Sequence, residues 1–222
     1  MNNSLTGKAR SLGAGLRALL VLTLVTGVLY PLAVTGVSQL LLPGPANGSE
    51  VRSDGRIVGS SLIGQSYRLP PAKGHEAPEP DPRWFQGRPA DGLGTNSRNT
   101  RYTLLLSGAT NLAADSEILL QRVRAAKAAV VKENSVPGHT VHPADVPADA
   151  VTSSGSGLDP DISPRYARLQ IHRVAARNHL PVTEVARLVR DHTEGRTLGF
   201  LGEPRVNVLE LNISLEELAA RH

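Results

Sequence analysis

Hydrophobic and polar positions along this 222-residue chain separate most sharply near its start. Between Arg17 and Pro43 the string ALLVLTLVTGVLYPLAVTGVSQLLL carries no charged side chain over its 25 residues. As a helix at ~1.5 Å per residue it would be ~37 Å long, enough to cross a hydrocarbon core of ~30 Å with some tilt. Beyond it the periods shorten. The region 51–69 reads as short strands, with Asp54-Gly55 as a hairpin turn before Arg56-Ile57-Val58. From 70 to 99 the chain is crowded with Pro, Gly and charge, and Trp84 and Phe85 are its only large apolar anchors. Helical spacing returns at 115–134, with Ile118, Leu119, Arg122/Val123, Ala126 and Val130 on one side. A Pro-containing connector at 139–151 follows. Ser163 then caps a helix with Pro164 at its first position, running to about Asn178 through Tyr166, Leu169, Val174 and Arg177. Pro181 opens another helix, with Val182, Val185, Leu188 and Val189 as its buried stripe. The run 205–211 reads as a strand, and Ser214 as the cap of a short last helix over 215–221. The pattern predicts an α+β fold: a single N-terminal transmembrane helix, then one domain with a small sheet of three or more strands covered by about three helices.

Charge sets the expected topology. Lys8, Arg10 and Arg17 precede the apolar run, and the first acid is Glu50. Such cations stay on the cytoplasmic side, so residues 1–17 are a cytoplasmic tail, 18–42 the membrane helix, and 43–222 an extracytoplasmic domain. A cleaved signal would have an apolar stretch of roughly 7–15 residues, which this run exceeds, and its best small-x-small match, Ala33-Val34-Thr35, ends in Thr at mid-span. The topology also corrects the net charge of +4. Three of the 24 Lys and Arg precede the span, leaving 21 against all 20 Asp and Glu, so the outer domain is nearly neutral and a nucleic-acid footprint is excluded. With 3% aromatics and no Cys, the core must be aliphatic, without disulfides, thiolate metal sites or Cys-linked lipid.

The most distinctive polar string is SSGSGLDPDISP at 153–164, which places Ser153, Gly155, Gly157, Asp159 and Asp161 ahead of the Ser163-Pro164 helix start. A helix N-terminus with free N–H groups suits an anion, and two carboxylates suit a hard cation. A phosphate loop is excluded because no Gly-Lys-Ser/Thr follows. A nucleophile elbow is excluded because Thr152 stands where its first Gly belongs, and the Ca²⁺-loop spacing is absent. A tight turn whose Asp and Ser groups satisfy backbone donors accounts for the same residues. His139 and His142 are too few for a metal and lie between Pro137 and Pro143. His172, His179 and His192 fall on amphipathic helices among arginines, as surface or helix-edge groups.

In the span, Thr23, Gly27, Pro31 and Thr35 fall four apart on one face, where small residues let another helix approach. Pro31 should bend the helix, and Tyr30 sits at mid-span, where its hydroxyl wants a partner.

Several strings together resemble the C subunit of the Kdp-type, ATP-driven potassium transport complex. They are Tyr30-Pro31 in the span, GSSLIGQ at 59–65, WFQGRP at 84–89, SGATNL at 107–112, SSGSGLDPDISP at 153–164 and LGFLGEPRVNVLELN at 198–212. Departures are small: Ala109 and Thr110 stand where the family more often has Gly and Ser, and 73–81 is unusually rich in Pro. The resemblance implies a plasma (inner) membrane protein, single-pass, partnered by a channel-like potassium-binding subunit, a P-type ATPase subunit and a very small accessory subunit. It implies no catalytic, cofactor or metal residues in this chain, with ATP and potassium handled by the complex. The residues agree with an accessory role, because the chain has neither a Thr-Val-Gly-Tyr-Gly filter nor an Asp-Lys-Thr-Gly-Thr phosphorylation motif. Family members are described as catalytic chaperones that raise the ATPase subunit's affinity for ATP. With only about 17 residues inside, that effect must be transmitted through the span. Two other classes compete: an anchored hydrolase using a serine of the 153–156 cluster with a histidine, and a tethered extracytoplasmic binding protein.

Overall fold

The computed structural model describes residues 3–69, 79–89 and 107–222. The chain divides into two units, Met1–Glu50 and Val51–His222.

The first unit is a long helix with one irregular turn. Helix α1 (Asn3–Leu24) passes through a π-helical segment, Val25–Leu29, into α2 (Tyr30–Leu41). The bend expected at Pro31 therefore takes the form of a widened turn just before it. Pro31 has no N–H for the Gly27 carbonyl, and its ring crowds that group. A wider turn relieves the conflict by pairing the Tyr30 N–H with Val25 O. Over Gly7–Leu41 this helix is long and apolar enough to cross a membrane, and neither the π turn nor α2 has a residue buried within the chain. A short turn, α3 (Pro43–Ala46), closes it. There the Gln39 and Asn47 amides exchange two hydrogen bonds of 3.2 and 3.1 Å.

The second unit is α+β. Strands β1 (Glu50–Ser53) and β2 (Arg56–Ser60) form the expected hairpin. Asp54 and Gly55 both have positive φ, 49° and 75°, the conformation that a two-residue turn between twisted strands requires. A second sheet has the order β3-β5-β4, from β3 (Asp161–Ile162), β4 (Thr193–Glu194) and β5 (Arg205–Asn207). Both pairings are antiparallel, with Val206 opposite Ile162 on one side and Thr193 on the other. The helices are α4 (Glu117–Asn134), α5 (Pro164–Asn178), α6 (Val182–Asp191) and α7 (Val208–Ala219). Helix α5 is central and touches α4, α6 and β5. The core it organises is aliphatic apart from Phe85 and Tyr166.

Three details depart from the sequence pattern. The run 205–211 is a strand for only three residues. Asn207 then accepts a hydrogen bond from Glu210 N and caps α7, whose buried Val208, Leu211, Asn212 and Leu215 follow helical spacing. Ser214 consequently lies inside α7 instead of capping a later helix, and its hydroxyl meets His192 Nε2 at 2.9 Å. In α4 the apolar face is buried only at the C-terminal end. Val130 is 6% exposed, whereas Ile118 is 57% exposed, and at the buried end Asn134 accepts a hydrogen bond from Arg173 of α5.

Candidate functional site

The polar string 153–164 folds into a knot of short hydrogen bonds. Gly157 has φ +68°, which glycine adopts without penalty. Its N–H donates to Ser154 Oγ (2.9 Å), and Leu158 N donates to Ser156 Oγ (3.1 Å). Asp161 N donates to Asp159 Oδ1 (3.1 Å). Ser163 Oγ accepts from Tyr166 N at the start of α5, while Asp149 accepts from both the backbone N–H and the hydroxyl of Ser163. Gly155 is exposed with open space around it, and Pro164 occupies the first helical position.

Distant motifs converge on this knot. Arg88 of WFQGRP spends all three guanidinium nitrogens on it: Nη1 pairs with Asp159 Oδ2 (3.0 Å), Nη2 with Ser153 O (3.2 Å) and Nε with Thr152 O (3.4 Å). From GSSLIGQ, Gly64 N donates to Leu158 O (2.8 Å), and a side chain at Gly64 would collide with the Asp159 carbonyl. From SGATNL, Gly108 N donates to Ser156 O (2.9 Å). On the far side Asp161 faces Arg205 at 3.3 Å, yet partial burial holds its carboxyl above the ordinary carboxylate range. Both carboxylates therefore meet guanidinium groups, and among the described residues no cluster of three or more His, Asp or Glu side chains could hold a metal ion.

Beside the knot lies a polar cleft of about 160 Å³, bordered by Gln65, Arg68, Gln86, Arg88, Glu133 and Tyr166. Withdrawal from water raises the Glu133 carboxyl above its usual range, with Arg173 opposing, and burial likewise raises the Tyr166 phenol. No histidine among the described residues bonds a hydroxyl of the 153–156 cluster. The Ser154 and Ser156 hydroxyls face each other at 3.3 Å, and among the described residues neither is paired with a base.

One wall of the cleft continues into a segment held almost entirely by side chains. Every carbonyl from Asp81 to Gln86 accepts a side-chain hydrogen bond. Gln86 Nε2 reaches Asp81 O, Arg173 reaches Pro82 O and Trp84 O, and Asn178 reaches Arg83 O. Asn212 exchanges two bonds with the backbone of Phe85 (2.9 and 3.0 Å), and Gln170 does the same with Gln86 (2.7 and 3.0 Å). These side-chain amides act as a partner strand would. The five buried polar residues among those described, Asp81, Asn134, Gln170, Arg173 and Asn212, take part in or brace this clamp. Desolvation lowers the Arg173 guanidinium to about 10, although neutral oxygens occupy its donors. Sequence reasoning missed the clamp. The buried Gln170 and Arg173 of α5 were left out of a stripe read through Tyr166, Leu169, Val174 and Arg177.

His139 pairs with a histidine of α5 and not with His142. His139 stacks on His172 of α5, with ring centroids 3.7 Å apart and planes 8° from parallel. Burial and then the neighbouring His139 lower the His172 pKa. His142 lies outside this stack. In the span, a side chain at Gly27 would meet only Thr23 Cγ2 at 4.0 Å, and Tyr30 is 66% exposed within the chain.

Comparison with known proteins identifies the family. The family model described as K⁺-transporting ATPase, c chain, matches residues 12–217. The Potassium-transporting ATPase KdpC subunit of Streptomyces coelicolor is 72% identical over 220 residues, covering 99% of this chain and 98% of the relative. Its namesake in Streptomyces avermitilis is 70% identical over 220 residues, with 99% of each chain covered. That of Gemmatimonas aurantiaca is 44% identical over 213 residues, covering 92% of this chain and 94% of the relative. The chain belongs to the KdpC family, the c chain of the K⁺-transporting ATPase.

Proposed function

We propose that this chain is a non-pore, non-hydrolysing accessory subunit of an ATP-driven potassium uptake complex, needed for its assembly. Its partners are a channel-like potassium-binding subunit, a P-type ATPase subunit and a small accessory subunit. The observation that carries this reading is a family match running through both the apolar helix and the domain, in a chain with one helix fit to span a membrane among the described residues. One span cannot enclose an ion path lined by coordinating oxygens. The cations Lys8, Arg10 and Arg17 support a cytoplasmic N-terminus in the plasma (inner) membrane, with 43–222 outside.

Any effect on the ATPase subunit's affinity for ATP then passes through the span as a coupling free energy between distant sites. The face of Thr23, Gly27, Tyr30, Pro31 and Thr35 is the proposed contact. Residues four apart drift by about 40° per step in an unbroken α-helix. The wider π turn takes back part of that drift and keeps this face together. Gentle solubilisation and capture through a tag after His222 tests the reading. The three other subunits should co-elute, and Gly27→Leu should lower their recovery while the anchored chain persists. A chain that elutes alone would overturn it.

A further inference from the structure

We propose that the β4–β5 connection, residues 195–204, is a docking loop whose apolar tip inserts into a pocket on another protein subunit of the transport complex. The proposal rests on the accessory-subunit reading and adds a contact surface outside the membrane helix. Hairpin connections usually take about 2–5 residues, and this one takes ten. Every residue from Glu194 to Glu203 is exposed. At the tip stand Leu198, Phe200 and Leu201, exposed by 79%, 69% and 50%.

The loop is nevertheless built. Thr197 and Leu201 exchange two backbone bonds of 2.9 Å, and Gly199 N and Phe200 N close onto Arg196 O and Thr197 O. Arg196 grips Glu203 with a fork of 2.9 and 3.0 Å. Leu198 is held at φ +55°, a conformation unfavourable for a residue with a Cβ, and Gly199 and Gly202 follow it at +83° and +76°. An ordered scaffold thus holds three large apolar side chains in water.

Charge identifies the occupant. Lipid-surface anchors combine apolar groups with Lys, Arg and interfacial Trp or Tyr. The tip has none of these. Arg196 is neutralised by Glu203, and Arg205 by Glu194 (2.8 Å) and Asp161. An aromatic and aliphatic centre ringed by paired charges matches the anatomy of a protein interface. The relatives are named as subunits of an ATPase, so different chains are at hand to receive the tip.

The chain has no cysteine, so Phe200→Cys supplies a unique thiol for a benzophenone label in the assembled complex. Irradiation should yield one adduct whose mass is this chain plus another subunit. An adduct with lipid or with a second copy would overturn the proposal. In parallel, the triple variant Leu198→Ser, Phe200→Ser, Leu201→Ser should lower co-purification of the partner subunits at least tenfold while leaving the thermal midpoint of the full chain unchanged. If the unmodified chain captures no partners, the accessory reading fails. If both chains capture them equally, the docking loop alone fails.

Discussion

Two short segments of the outer domain, DPRWFQ at 81–86 and LGFL at 198–201, lie on opposite sides of the water boundary from where composition would put them. The first carries two formal charges and a proline, yet Asp81 is 4% exposed and Phe85 is fully buried. The second is almost wholly apolar, yet it stands in solvent. The difference lies in the backbone. An irregular segment can be buried only if each carbonyl and N–H finds a partner, and at 81–86 side chains from α5 and α7 supply most of them. At 198–201 the loop bonds to itself, and its three large apolar side chains stay exposed. Burial here follows hydrogen-bond supply as much as hydrophobicity.

The sharpest way to break this contrast is Arg173→Met. It keeps the aliphatic bulk but orphans Pro82 O and Asn134 Oδ1, and takes one of two donors from Trp84 O and from Gln170 Oε1. At about 1–3 kcal/mol per buried group left unpaired, partly relieved by water, the loss should reach at least ~3 kcal/mol in denaturant melts of the full chain in detergent. Asn212→Leu strips one N–H and one carbonyl at Phe85 and should cost about 2 kcal/mol in the same melts. A comparably small effect from either would mean that 81–86 is held by its rings alone.

The 153–164 knot offers a finer test. Gly64→Ala drives a methyl group against the Asp159 carbonyl and should cost about 1–3 kcal/mol. Gly155→Ala meets open space and should stay within ~0.5 kcal/mol of the original. Equal midpoints for the two would show that the approach of GSSLIGQ to the knot is loose.

The smallest effect concerns the His139–His172 stack. Because the folded site resists protonation, the unfolded chain takes up its proton first as pH falls. Stability should decline as pH drops below about 6.5 and level off once the folded His172 is also charged. His172→Gln should flatten that part of the profile, and an unchanged slope would place the titration elsewhere.

Much of the fold was legible because local signals suffice for it. An uncharged run of 25 residues, a Ser-Pro helix start and an Asp-Gly turn each act through near neighbours, and α1–α2, α5 and the β1–β2 hairpin follow from them. Where a neighbour decides, the sequence misled. The alternation of RVNVLEL fits a strand, but Asn207 capping and burial of Leu211 and Leu215 against the core make it a helix after three residues. Of the site, the string 153–164 stood out by its residues, while its attachment to Arg88, Gly64 and Gly108 did not. Those contacts join positions 48 to 94 residues apart in the chain.

By itself, then, the amino-acid order determined one apolar span, an aliphatic α+β domain without cysteine chemistry, and the family to which the chain belongs. Only the tertiary structure decided that Gln170, Arg173 and Asn212 face inward to hold a loop, that Pro31 is answered by a π turn, and that Leu198 and Phe200 face water. The reason is physical. Periodicity and capping are set by residues a few positions apart, whereas burial of a polar group or exposure of an apolar one depends on partners that only the folded chain brings within reach.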